Sequence, residues 1–143
     1  MRQLITNAAL TGLLLLGTSG AIAQDRDRDR GDRWYQERDS FYRGEQWKAR
    51  MFQRIRVDLD QIQAKTFPGG RDDFRIARTK QDLNELQDKL AAGRYDQPEL
   101  DAVVSGLRRV VDSNKLEARD RDILNDDLNR LQYYREHHEN WGR

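Results

Sequence analysis

Two adjacent histidines, His137 and His138, have the most versatile chemistry in this sequence, because an imidazole can bind a metal ion or carry a proton near neutral pH. Neighbouring positions on a helix point about 100° apart, so the two rings do not readily bind one ion, even with Glu136 or Glu139 as a further ligand. Neither histidine has an acidic residue three or four positions away. The pair is a weak candidate metal site, and a favourable charge at a helix C-terminus is the alternative interpretation.

No other set of residues predicts catalysis. There is no Cys, and therefore neither a thiol nucleophile nor a disulfide framework. Four polar residues cluster near the end of the third predicted helix: Asp112, Asn114, Asp120 and Asp122. An EF-hand loop starting at Asp112 would place Leu116 and Ile123 at positions that need oxygen ligands. The sequence predicts no catalytic residues, no cofactor and no enzymatic activity.

Aromatic residues are concentrated near the two ends of residues 34–143. Seven of them form our candidate interaction surface: Trp34, Tyr35, Tyr42, Trp47, Tyr133, Tyr134 and Trp141. In an up-down bundle of four helices, the start of the first helix and the end of the fourth lie at the same end of the molecule. Aromatic rings are enriched at protein interfaces, so this end could bind a partner. The alternative is that the rings serve the fold, by packing the segment before the first long helix onto the bundle.

The spacing of apolar residues indicates which elements position these side chains. Ile76, Leu83, Leu86 and Leu90, with Thr79 in the gap, recur at intervals of three and four, which places them on one face of a helix. Three further segments show helical spacing: residues 45–65, 96–112 and 114–138. We therefore predict an all-α fold, a small antiparallel up-down bundle of about four helices, with room for a short extra helix at the front.

Local signals indicate where several of these helices begin and end. The segment from Asp96 to Glu99 combines an N-cap residue, a proline in the first turn and an acidic third position. Asn114 is predicted to cap the fourth helix in the same way, and Gly93 is predicted to end the second. Glu85 and Lys89 have the i,i+4 spacing of an ion pair within one helix.

The first residues predict export. A basic start is followed by a short apolar run and by Ala21–Ala23, which is the pattern of a signal peptide over residues 1–23. The apolar run is shorter than the roughly 20 residues of a membrane-spanning helix, so we expect no membrane span after cleavage. Residues 24–33 alternate Asp and Arg and are predicted to be a disordered leader. Residues 34–143 are predicted to form a single helical bundle domain.

The charge balance bears on the class of partner. The chain has 26 Lys and Arg and 25 Asp and Glu; the signal segment contains Arg2 and no acid, so residues 24–143 have a formal net charge of zero. Nucleic-acid binders usually carry a basic excess, so we expect no nucleic-acid partner.

Two strings of the sequence resemble a motif of known envelope proteins. Residues 83–87 read LNELQ and residues 128–132 read LNRLQ. They resemble the L-T-x-x-Q motif of periplasmic stress chaperones, with Asn where that family has Thr and with a predicted position in the middle of helices. The resemblance covers only these few residues.

We therefore expect a periplasmic or secreted protein that acts as a non-enzymatic interaction module, either an adaptor or a chaperone-like protein, in the bacterial envelope. Its expected partner is another envelope protein, and the sequence leaves the oligomeric state open. The alternative function is binding of a small ligand or a metal ion through His137 and His138 or through a pocket between helices.

Overall fold

The computed structural model describes residues 32–141. The chain divides into two compact units, Met1–Ser40 and Phe41–Arg143. The predicted signal peptide and residues 24–31 of the predicted leader lie outside the described residues. Helix α1 covers residues 32–43 and includes Asp32 and Arg33, the last two residues of the predicted leader.

The second unit is an antiparallel bundle of four longer helices. They are α2, Trp47–Gln63; α3, Arg71–Ala91; α4, Gln97–Val111; and α5, Ala118–His137, which continues into a short 3₁₀ turn, His138–Asn140. Each helix packs against the next, and α2 also contacts α5, which closes the bundle. The short connections make sequential helices antiparallel neighbours. The prediction of an all-α fold is confirmed, and residues 32–141 contain no β-strand.

The predicted apolar face of α3 lies in the core. Ile76, Leu83 and Leu86 are fully buried, and Thr79 between them is 1% exposed. Other helices contribute further fully buried side chains: Met51, Ile55, Leu59, Ile62, Leu100, Val103, Leu107, Leu124 and Leu131. Burying each aliphatic side chain of this size contributes about 1.5–3 kcal/mol, so this core is the main source of stability in a chain without disulfides.

Helix α3 ends in a Schellman motif, as the predicted role of Gly93 requires. Gly93 has a φ of 72°, a left-handed conformation that glycine adopts without steric cost. The amide of Gly93 donates to the carbonyl of Leu90, and the amide of Arg94 donates to the carbonyl of Lys89, both at 2.9 Å. These bonds satisfy carbonyls at the end of α3 and turn the chain toward α4.

Helix α4 begins at the predicted cap. The Asp96 carboxylate accepts a hydrogen bond from the Glu99 amide at 3.0 Å. Lys89 donates to Asp96 at 2.8 Å and to Glu99 at 2.7 Å, so it does not form the predicted pair with Glu85. The Lys89 ammonium and the Glu99 amide lower the pKa of the Asp96 carboxyl. The hydrogen bonds from Lys89 to the Asp96 and Glu99 carboxylates raise the pKa of Lys89.

Two substitutions of Asp96 are expected to distinguish the stability that comes from its capping hydrogen bond from the stability that comes from its negative charge. At neutral pH, the free energy of unfolding should fall from wild type to Asp96→Asn, which can still cap, and again to Asp96→Ala, which cannot. A lowered folded-state pKa stabilises the protein above the unfolded-state pKa of about 3.9, and this contribution is lost as the pH falls through the folded-state pKa. Urea unfolding should therefore show the wild-type advantage over Asp96→Asn at pH 7 and its progressive loss as the pH falls below the unfolded-state pKa. A difference in stability between the wild type and Asp96→Asn that does not change with pH would contradict the ion pair between Lys89 and Asp96.

The connection between α2 and α3 is a type II β-turn of residues 67–70. The Gly70 amide donates to the Phe67 carbonyl at 3.0 Å, and Gly69 has a φ of 73°, as the third position of this turn requires. The Gly69 amide also donates to the Asp73 carboxylate at 2.8 Å. The turn leaves the Phe67 ring 82% exposed.

The connection between α4 and α5 differs from the prediction. Asn114 does not cap α5, because that helix begins four residues later, at Ala118. The connection is held instead by Arg121, which donates to the Ser113 carbonyl at 2.9 Å. The Ser113 hydroxyl donates to Asp72 of α3 at 2.7 Å. Contacts distant in sequence thus replace the local cap.

Helices α3 and α4 approach closely at Gly106. A Cβ atom at Gly106 would lie 2.5 Å from Oγ1 of Thr79 and 3.3 Å from its Cβ, both closer than ordinary packing allows. The Thr79 hydroxyl donates to the Arg75 carbonyl at 2.8 Å, which fixes its position on α3. The two helices can therefore pack at this distance only because residue 106 has no side chain.

Candidate interaction surfaces

Most of the predicted aromatic surface forms one cluster at the end of the bundle where α2 begins and α5 ends. Trp141 is at its centre: its ring lies 5.6 Å from Trp47 and 4.8 Å from Tyr134 between centroids, in both cases edge to face. The Trp141 indole also donates to the Lys48 carbonyl at 3.0 Å. We call this set the aromatic cluster; its members are Tyr42, Trp47, Phe52, Tyr95, Tyr133, Tyr134 and Trp141.

Members of the aromatic cluster differ in exposure. Tyr134 is 5% exposed and packs inside, whereas the neighbouring Tyr133 is 44% exposed. Tyr42 and Trp47 are half-buried, and the Arg130 guanidinium lies 3.5 Å and 4.9 Å from their ring centres. Such cation–π contacts are stabilising, so these faces already have an intramolecular partner. Tyr133 is the ring of the cluster most available to another molecule.

Trp34 and Tyr35, the remaining two residues of the predicted surface, belong to the first unit. Their rings are 4.5 Å apart between centroids and tilted by 36°. Their exposed fractions are 5% and 9%. A role for either ring in binding a partner stays a prediction.

The two histidines point to different neighbours. His137 stacks on Tyr133 at 4.1 Å and His138 stacks on Tyr95 at 3.7 Å, each measured between ring centroids. The Nδ1 atom of each ring is hydrogen-bonded to a backbone carbonyl of α5, that of Tyr133 for His137 and that of Arg135 for His138. Within residues 32–141, no group of three or more His, Asp or Glu side chains is arranged to hold a metal ion.

Tyr95 is a member of the aromatic cluster that the sequence analysis did not find. It lies in the connection between α3 and α4, which an up-down bundle brings to the same end as the start of α2 and the end of α5. Its hydroxyl oxygen is buried without a hydrogen-bond partner in the described part of the chain. Burial raises the pKa of this hydroxyl, and the charge of Asp101 raises it further. The predicted up-down order of the helices was by itself enough to place Tyr95 at this end of the bundle.

A groove between α3 and α4 was also missed. The α3–α4 groove has a volume of about 300 Å³, and its lining residues are Phe74, Arg75, Arg78, Thr79, Gly106 and Arg109. Thr79 and Gly106 are buried, and Phe74 is 68% exposed. The signal was present in the sequence, because Phe74, Arg75 and Arg78 have the spacing of one helix face.

The three arginines of the α3–α4 groove differ in their intramolecular partners. Arg78 donates to Asp82 at 3.0 Å, and Arg75 contacts Asp72 at 3.4 Å. The Arg109 guanidinium forms no hydrogen bond or ion pair with any side chain of residues 32–141. Burial raises the pKa of the Asp82 carboxyl, while the positive charges of Arg78 and Arg109 act in the opposite direction.

A second cleft, of about 160 Å³, lies where the α2–α3 turn meets the α4–α5 connection. Lys65 and Asp120 are among its lining residues, and the Lys65 ammonium donates to Asp120 at 2.9 Å. Asp120 is 2% exposed, so its charge is balanced within the protein. This cleft offers no uncompensated buried charge to a ligand.

Comparison with known proteins gave no match among family models, curated proteins or solved structures. Across residues 32–141, none of the helices is long and apolar enough to cross a membrane.

Proposed function

We propose that this protein is an exported, non-enzymatic helical bundle that binds another protein of the bacterial envelope. The observation that carries the proposal is the exposure of two phenylalanine rings, Phe67 at 82% and Phe74 at 68%. Full burial of a Phe ring contributes about 1.5–3 kcal/mol, and this chain uses neither ring for its own stability. Both rings are available to a partner.

The arrangement of exposed rings favours a dedicated adaptor over a general chaperone. A chaperone that holds unfolded clients needs a broad apolar surface. The large apolar side chains exposed among residues 32–141 are few: Val57, Phe67, Phe74 and Tyr133. A small number of aromatic anchors is the usual centre of a specific interface.

Export is part of the proposal and is tested separately. We expect the mature protein to begin at Gln24 and to be found in the periplasm or the medium. N-terminal sequencing of the protein from fractionated cells checks both points. A protein that retains Met1 in the cytoplasm would contradict export.

The proposed interaction is tested by photo-cross-linking in cells. Benzoylphenylalanine at Phe67 or Phe74 keeps the ring and adds a reactive group at an exposed position. We expect one discrete cross-linked species from these positions. The control is the same amino acid at Asn125, an exposed polar position on α5.

Each outcome of the cross-linking experiment has a defined meaning. One species from Phe67 or Phe74 and none from Asn125 supports an adaptor. The same amino acid is also placed at Tyr133, and cross-linking only from that position would move the interface to the aromatic cluster. A smear of many products would indicate a chaperone, and no product from any of these positions would contradict the interaction.

A further inference from the structure

The α3–α4 groove combines an exposed aromatic ring with a set of cations. Phe74 forms one side, and its ring is 68% exposed. The charged lining residues are Arg75, Arg78 and Arg109, and no carboxylate lines the groove. A guanidinium group binds carboxylates through paired hydrogen bonds, so an occupant with acidic side chains complements this surface.

The cations of the groove are only partly neutralised by the protein itself. Asp72 and Asp82 engage Arg75 and Arg78, which leaves the Arg109 guanidinium without an ion pair within residues 32–141. Arg78 is 67% exposed although it contacts Asp82. Both guanidinium groups can therefore take a carboxylate from another molecule without breaking the fold.

The shape of the groove favours a peptide over a membrane surface. Gly106 and Thr79 pack closely against each other at its floor, and the groove has a volume of about 300 Å³, enough for one inserted side chain. A bilayer presents a broad surface, which fits a groove between two helices less well than a single peptide segment does. Glu85 and Asp88 also lie exposed farther along α3, and they would be repelled by an anionic membrane.

We propose that the α3–α4 groove binds an acidic peptide segment of a partner protein, with an apolar side chain against Phe74 and carboxylates on Arg78 and Arg109. This inference rests on the proposed function and names the chemistry of its partner. The contact is electrostatic in part, so its affinity falls as the salt concentration rises.

The probe is a peptide selected on the purified protein from a displayed library of random sequences. We expect the selected peptides to contain Asp or Glu beside an apolar residue. Fluorescence anisotropy should show that Arg109→Gln weakens binding by about tenfold or more, the usual effect of removing a charged hydrogen-bond partner. Phe74→Ala should weaken binding as well.

Arg108→Gln is the matched control, because Arg108 is an exposed arginine of the same helix that does not line the groove. It should leave the affinity nearly unchanged. Arg109→Gln removes no intramolecular ion pair and only a longer-range attraction to Asp82, so its urea midpoint should stay close to that of the wild type.

The inference would be overturned by selection of no peptide, by selection of peptides without acidic residues, or by equal losses of affinity from Arg108→Gln and Arg109→Gln. Phosphatidylglycerol vesicles that bind through Arg109 when no peptide does would assign the groove to lipid and also overturn it. A partner cross-linked at Phe67 or Phe74 and captured equally by Arg109→Gln would refute the groove while leaving the proposed function intact.

Discussion

Replacement of Tyr134 by Ala is expected to lower the free energy of unfolding by about 3–5 kcal/mol, the range for removal of a buried aromatic ring. Tyr134 is 5% exposed. Its ring contacts Phe52 of α2 at 5.0 Å and Trp141 at 4.8 Å between centroids, so its loss opens a cavity between α2 and α5. Urea unfolding followed by circular dichroism measures the effect.

Tyr133→Ala is the matched control for this experiment, because it removes the same ring from the adjacent, 44% exposed position. It should cost less than about 1 kcal/mol, in the range of surface substitutions and single aromatic contacts. Equal losses from both variants would show that burial does not distinguish the two rings. A negligible change in the free energy of unfolding from Tyr134→Ala would mean that the ring does not stabilise the fold and is available for binding a partner.

Replacement of Gly106 by Ala is expected to destabilise the protein by about 1–3 kcal/mol, the usual cost of overpacking a core. The helix propensity of Ala predicts the opposite sign, a gain of about 1 kcal/mol. The steric term dominates, because the new Cβ would lie 2.5 Å from Oγ1 of Thr79 on the facing helix. The free energy of unfolding in urea determines which effect is larger.

A double-mutant cycle assigns the cost of Gly106→Ala to this contact. Thr79→Ala removes the hydroxyl and methyl groups nearest to the new Cβ, so Gly106→Ala should cost much less in that background. Ser105→Ala, at an exposed position on the same helix, should be neutral or slightly stabilising. An increase in stability from Gly106→Ala alone would mean that the helices can move apart without cost.

The sequence determined those features that depend on neighbours along the chain. Helix faces follow from apolar spacing, so Ile76, Leu83 and Leu86 were correctly predicted to face inward. The cap at Asp96 and the left-handed Gly93 need only residues within one turn, and both were found. The helix order also predicted that aromatic rings gather at one end of the bundle. In an up-down bundle, the start of the first long helix and the end of the last lie at the same end.

Only the tertiary structure decided the features that depend on contacts between helices. Lys89 pairs with Asp96 and Glu99 because the chain reverses at Gly93, whereas i,i+4 spacing pointed to Glu85. Asn114 resembled a cap, but contacts from Arg121 and Ser113 hold that segment, and α5 begins later.

The α3–α4 groove depends on tertiary structure for the same reason. Its floor is the close contact between a glycine on one helix and a threonine on the next. Its charge comes from Arg75 and Arg78 on α3 together with Arg109 on α4, which lies 31 positions beyond Arg78 in sequence. Local patterns give the face of each helix, but the distance and register between two faces depend on how their side chains interlock.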